Sequence, residues 1–297
     1  QWRLDAFDSH GMIYEASASK MFSVPLESIS YKNESGEKIR GENYDMRAKG
    51  KVAELALGYQ GGVGAMINMG GDKMGLTKKE MKAIVKAWRE ANPNIKDLWE
   101  DIEKCAILAV RKGKEVVSEY RGIKFKYDGY VLMITLPSGR SLFYQQPLIV
   151  TETKYEFKRY DPEAEDYDIG WATKNRILKS DIQTGKSWGV DKLVYMGMNQ
   201  TTKIWERVDT YGGKLVENIV QAIARDLLAE SLVKLDRAGF DIVMHVHDEV
   251  VCEIFKGAAA EELKIICDIM SEPIDWAEGL PLAADGYVTD YYKKDTD

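Results

Sequence analysis

An α+β fold is predicted for this chain by three observations. First, helical and two-residue periodicities fall in separate blocks, without the repeating strand-helix-strand rhythm of a doubly wound sheet. Second, residues 215–235 carry apolar side chains at continuous helical spacing, with Gly212 and Gly213 before them and Gly239 after, which marks one long helix. Third, residues 244–254 read as two short strands joined at a bend that holds His247, Asp248 and Glu249. A length of 297 residues with 45% hydrophobic content suffices for a real core, in one large unit or two smaller ones.

A net charge of -7 excludes a protein coated in positive charge, but the 41 Lys and Arg residues are enough to line a basic cleft. Composition therefore leaves the class of partner open. Cys105, Cys252 and Cys267 have neither paired nor metal-ligand spacing, so a reducing compartment is expected. No apolar run approaches the roughly 20 residues that cross a bilayer, and the first residues lack signal-peptide organisation. The expectation is a soluble cytoplasmic protein without membrane contact.

In chain order, Trp2, Leu4, Phe7, Ile13, Tyr14 and Ala18 recur at roughly helical spacing until Val24 and Pro25, and residues 31–44 read as a polar loop. A helix through Arg47 and Tyr59 is closed by Gly61 and Gly62. In the next, Thr77 and Glu80 fit a capping box ahead of Ile84, Val85, Ala87 and Trp88. Asn92 and Pro93 close that helix and open another, in which Ile95, Leu98, Trp99, Ile102, Ala106 and Leu108 repeat before Gly113. Trp88 and Trp99 are expected as core anchors.

From residue 116 to 155 the period becomes two, with strands at 131–136 and 141–144 around a turn that ends at Arg140. Residues 158–187 are charged and turn-rich, including the acidic stretch 161–168, and read as exposed loop. Another strand is expected at 193–198. Beyond the hairpin at 244–254, residues 258–270 read as a helix in which Cys267 is a small core or boundary side chain. A last strand is expected near Gly286, Tyr287 and Val288, followed by a polar tail at 291–295.

Two stretches carry chemistry. Asp248 and Glu249 are adjacent carboxylates at a strand tip, which repel unless a cation, typically a divalent one held by oxygen ligands, sits there. A solvated hairpin turn fits the same residues, although two of the three histidines, His245 and His247, flank it. Upstream, Arg47, Lys51, Leu55 and Tyr59 stand four residues apart, a helical ridge whose cations suit phosphates and whose far end suits a flat ring. An amphipathic surface helix with solvated cations fits them too. Gln221 falls among the apolar residues of the long helix, where it either caps a backbone group or faces a cleft.

Arg47, Lys51, Leu55 and Tyr59 resemble the fingers-helix motif of the family A (bacterial DNA polymerase I-like) DNA polymerases, and His247, Asp248 and Glu249 resemble their palm motif. Residues 212–228 resemble the helix between the two, and the whole chain is similar to the palm and fingers of a phage or prophage member. The resemblance implies a palm of antiparallel sheet with packed helices and mainly helical fingers. It divides the chain into a palm/fingers junction over 1–25, fingers over 26–112 and palm over 113–297, with a loop-rich insertion at about 158–190.

It also implies a DNA-directed DNA polymerase that joins deoxynucleoside triphosphates to a primer 3'-hydroxyl, with Mg²⁺, or Mn²⁺ in its place, and primer-template DNA as partner. In that scheme Asp248 and Glu249 serve catalysis and metal binding, Asp248 as ligand and Glu249 as supporting acid. Arg47 and Lys51 hold the triphosphate, Lys51 also neutralising or protonating the leaving pyrophosphate, and Leu55 and Tyr59 lie by the nucleotide. His10 resembles a histidine that reaches the β-phosphate, at a longer separation from Arg47 than usual, while Gln221 and His247 are expected to touch primer or template.

Three departures stand out. Leu55 replaces the usual Phe or Tyr, and Gln60 replaces the glycine after the tyrosine. The family's first palm motif, with an Asp that bridges both metals, is expected ahead of Trp2, and a thumb is not recognisable. Asp5 and Asp8 lie in a segment that resembles the helix after that motif. A second polypeptide or a missing N-terminal portion is therefore expected to supply the first catalytic Asp. The alternative is a catalytically inactive, polymerase-derived nucleic-acid-binding fragment; a metal-dependent nuclease would explain the acidic turn but not the ridge from Arg47 to Tyr59.

Overall fold

The computed structural model describes residues 2–162 and 165–293, so parts of the stretches 161–168 and 291–295 lie outside the described residues. In chain order the first elements are α1 (Trp2–Ser9), α2 (Ile13–Phe22), α3 (Leu26–Ile29), β1 (Ser30–Lys32), β2 (Lys38–Arg40), α4 (Met46–Leu57), α5 (Val63–Asn68), α6 (Lys78–Ala91) and α7 (Pro93–Lys112). Then come β3 (Val116–Val117), β4 (Lys124–Tyr127), β5 (Val131–Thr135), β6 (Ser141–Asp161), β7 (Asp166–Ala172), β8 (Ile182–Met198) and β9 (Trp205–Thr210). The long helix α8 (Gly212–Arg237), β10 (Asp241–Val246), β11 (Glu249–Glu253) and α9 (Ala259–Ser271) follow. Helices and antiparallel strands are segregated along the chain, which is the predicted α+β class.

The chain divides into two compact units. The larger comprises Met12–Thr135 and Ser141–Glu217. Its helices α2 and α4 pack backbone to backbone at Gly50, where an added Cβ would lie 2.2 Å from the Tyr14 carbonyl oxygen. The predicted capping box starts α6: the Thr77 hydroxyl accepts from the Glu80 amide at 3.2 Å and the Glu80 carboxylate accepts from the Thr77 amide at 2.8 Å. Trp88 and Trp99 are buried as predicted and stack with centroids 6.1 Å apart. Each also spends its indole N–H, Trp88 on Glu54 and Trp99 on the Gly58 carbonyl.

Seven described strands of this unit form one antiparallel sheet in the order β3-β4-β5-β6-β8-β9, with β7 beside β6. Phe125, Leu132, Ile134 and Leu193 are fully or almost fully buried on it, as are Ile102, Ala106 and Ala109 of α7. The stretch 158–190, read as loop-rich, instead carries the end of β6, all of β7 and the first half of β8. Its charges suggested a loop, but those among the described residues are exposed or paired: Arg159 donates to both oxygens of Asp181, and Lys82 of α6 holds Asp161 and Asp168. A smaller correction concerns residues 31–44, where β1 and β2 form a short hairpin in place of a pure loop. The Asn33 side chain accepts from the Ser35 and Glu37 amides and so closes its turn.

The second unit comprises Gln1–Gly11, Leu136–Arg140 and Asn218–Asp297. The turn at 136–140 is fastened to α8: Ser138 and Arg140 both bond the buried Asp226, and Arg140 also donates to the Ala222 carbonyl at 2.9 Å. β10 and β11 pair as the predicted hairpin, and α9 follows. The last expected strand, near Gly286, is irregular; Gly286 lies against Leu263, where a Cβ would come within 2.8 Å of a methyl carbon. No described helix is long and apolar enough to cross a membrane.

Gly50→Ala would force α2 away from α4, because the obstructing atom is backbone and has no rotamer to change. A loss of about 1–3 kcal/mol is expected from such overpacking, read as a lower denaturation midpoint; an unchanged midpoint would contradict the close approach.

Candidate active site

The pairing of Val246 with Glu249 leaves His247 and Asp248 as the two-residue connection of the β10–β11 hairpin. A connection this short needs left-handed backbone, and His247 adopts it with φ of 53°. His245, His247 and Asp248 are exposed and Glu249 is half-buried. The tip thus presents carboxylate oxygens, the donors a hard divalent cation takes. Among the described residues, however, no group of three or more His, Cys, Asp or Glu side chains is arranged to hold a metal ion. Asp248 and Glu249 fit such an ion as a partial ligand set.

In the larger unit, α4 carries Arg47, Lys51 and Leu55, while Tyr59 falls just beyond its end, after Gly58. Arg47, Ala48, Lys51, Val52, Leu55, Met69 and Met74 line an open cavity of about 420 Å³, which brings two cations together with apolar side chains. Leu55 is 47% exposed and takes part in that apolar wall. Tyr59 is half-buried; burial, reinforced by the charge of Glu217, raises its phenol above the ordinary range.

The structure adds two residues that the sequence reading passed over. The Tyr14 ring of α2 lies 5.6 Å from the Arg47 guanidinium carbon and 5.8 Å from the Lys51 ammonium, within cation–π range of both. Beside it, Glu15 is 1% exposed; its carboxylate accepts from Arg47 Nε at 2.8 Å, bonds the Lys38 ammonium, and takes a longer contact of 3.4 Å from the Ser30 hydroxyl. Burial pushes the Glu15 carboxyl up, but the Lys38 hydrogen bond, a hydrogen bond from its own backbone amide and the charges of Lys38 and Arg47 together outweigh it and hold the group below the ordinary 4.5. The available signal was one acidic side chain within an otherwise small and apolar helix, residues 13–19. Its partners could not be found by spacing, since Lys38 and Arg47 are remote in sequence.

Gln60 explains its own departure from glycine. It keeps the left-handed backbone, with φ of 68°, and its side-chain oxygen accepts from the Gly213 amide at 2.9 Å, capping the start of α8. Gly213 has no room for a Cβ, which would lie 2.4 Å from the Tyr59 carbonyl oxygen. Of the remaining expected contacts, Gln221 is exposed on α8 rather than enclosed by apolar neighbours, and His10 belongs to the smaller unit while Arg47 and Lys51 belong to the larger. Tyr14 is the aromatic residue beside those cations.

Acidification tests the Glu15 cluster. A carboxyl whose pKa is depressed by folding stabilises the native state above its unfolded value and loses that contribution as pH falls through the folded one. Unfolding midpoints of the unaltered protein should therefore fall more steeply than those of Glu15→Gln as the pH drops below 4.5. Parallel curves would place the carboxylate outside the ion pairs.

No protein-family model matches the chain. Among curated proteins, a DNA polymerase of Bacillus phage SP02 is 46% identical over 295 residues, covering 99% of this chain, and the chain spans 38% of that relative's length. Among solved structures, the POL domain of Pol1 from M. smegmatis, in complex with DNA primer-template and dNTP, aligns with a TM-score of 0.49 at 15% identity, covering 94% of this chain and 34% of that one. The assignment rests on the phage relative. Nearly every residue of the chain aligns with it, so the chain is similar throughout to one portion of a phage DNA polymerase.

Proposed function

We propose that these 297 residues form the palm and fingers of a DNA-directed DNA polymerase, acting on primer-template DNA and deoxynucleoside triphosphates. The observation that carries this reading is the α4 cavity, where Arg47 and Lys51 stand together on one wall and Leu55, Met69 and Met74 offer apolar surface. A triphosphate needs the first and a base or sugar suits the second. The 46% identity to a phage DNA polymerase supports it.

In this reading Arg47 grips phosphate oxygens through its planar fork, and Lys51 adds a mobile point charge that neutralises or protonates the departing pyrophosphate. Tyr59 borders the nascent base pair. Asp248 supplies ligand oxygens for Mg²⁺, with Glu249 as the supporting acid and His247 and Gln221 as contacts to primer or template. Bound Mg²⁺, or Mn²⁺, would supply Lewis-acid stabilisation of the charge that builds on phosphate during in-line attack. Because the chain spans only 38% of the phage relative, polymerase sequence outside it, on the same or another polypeptide, would complete the carboxylate set. Residues 1–25 would then be the palm/fingers junction, 26–112 the fingers and 113–297 the palm.

Primer extension with Mg²⁺ and four deoxynucleotides tests the proposal, using these residues alone and with the remaining polymerase sequence supplied. Extension is expected in the completed enzyme and should drop on the order of a thousandfold in Asp248→Ala, the scale of losing one catalytic group, with primer-template binding retained. Extension that survives Asp248→Ala would remove the catalytic assignment. Binding without extension in the completed enzyme would favour a nucleic-acid-binding fragment.

A further inference from the structure

Glu15 is a buried acid that the polymerase scheme does not use, and its surroundings give it a specific task. It engages Arg47 only through Nε, at 2.8 Å. Among the described residues, the Arg47 Nη groups have no carboxylate or carbonyl partner, and Arg47 lines the α4 cavity. A guanidinium held along its Nε edge keeps its remaining N–H groups in one plane and one direction. The Tyr14 ring, 5.6 Å from the guanidinium carbon, limits the rest of its motion.

Charge balance points the same way. A buried carboxylate paired with a single arginine would cancel the charge that a phosphate needs. Lys38, from β2, shares the Glu15 carboxylate, so that Glu15, Lys38 and Arg47 together keep a net positive charge. Lys51, 5.8 Å from the same tyrosine ring, adds to it. Gly50 lets α2 come close enough for all of these contacts, with room for no more than a hydrogen beside the Tyr14 carbonyl.

We propose that Glu15 is a positioning residue for triphosphate binding, which pre-orients Arg47 toward the anion while Lys38 preserves the net positive charge. The proposal rests on the reading of Arg47 as a triphosphate ligand. It adds the residues that hold that ligand ready and so lower the ordering cost of binding.

The test is the affinity of the full 297-residue chain for a fluorescent deoxynucleoside triphosphate, with inorganic tripolyphosphate as competitor. Glu15→Gln should weaken binding about tenfold, within the range of coupled neighbours, and Glu15→Asp should recover part of the loss. In an Arg47→Ala background Glu15→Gln should change affinity less than about twofold, the mark of two residues acting through one contact. A purely structural role would instead give independent, multiplying losses, and that outcome overturns the proposal. Should Glu15→Gln fail to fold, Lys38→Met replaces it, since that side chain is 35% exposed and its loss leaves the carboxylate paired. It should weaken binding about threefold, and unchanged affinity there overturns the proposal. If Arg47→Ala binds as well as the unaltered chain, or the unaltered chain does not bind, the triphosphate reading falls together with this one. Weakening by Arg47→Ala with none from Glu15→Gln removes the role of Glu15 alone.

Discussion

The carboxylate of Glu15, shut away from water between two helices and a hairpin, is the constraint on which the cation side of this protein depends. A buried charge is tolerated only when it is paired and hydrogen-bonded. Lys38 and Arg47 supply the pairing and Ser30 a weaker bond. The arrangement requires α2 and α4 to touch at Gly50, requires the β1–β2 hairpin to deliver Lys38, and leaves α4 presenting Arg47 and Lys51 along one wall of a cavity. Rigid placement of cations matters because reorganising them at the moment of binding or reaction costs free energy that a prebuilt site does not lose.

The carboxylate side is organised differently. Asp248 sits on the two-residue hairpin connection and Glu249 at the start of β11, where the backbone is fixed by pairing on both sides and by the left-handed His247. Geometry is therefore defined while charge is uncompensated, since Asp248 faces solvent and no third described ligand completes a metal site. Like charges at such a tip favour any divalent cation that can be held between them and further oxygen ligands.

Gln60 and Leu55, two of the three departures from the family A pattern that the sequence resembles, have distinct physical meanings. Gln60 keeps the left-handed backbone that a glycine would adopt at no cost, and its amide oxygen satisfies the first turn of α8 in return. Leu55 places an exposed aliphatic side chain in the same cavity lining as Met69 and Met74, where the family pattern has a flat ring, so this lining offers apolar contact in place of a ring to stack on.

The features legible in the residues alone are local and periodic. The capping box of α6, the burial of Trp88 and Trp99, the long α8 and the hairpin at Asp248 were all legible because each depends on neighbours a few residues away or on a repeating buried face. The ridge of Arg47, Lys51 and Leu55 was legible for the same reason, but Tyr59, expected as its fourth member, falls beyond the end of α4. Tertiary structure alone decided the rest. Much of the described part of 158–190 is strand because cross-strand pairing and the Arg159–Asp181 and Lys82 ion pairs absorb charges that sequence patterning assigns to a loop. Tyr14 and Glu15 acquired their positions beside the cations through contacts of remote sequence separation, which no spacing rule encodes, because a buried acid is specified by the partners that fold against it.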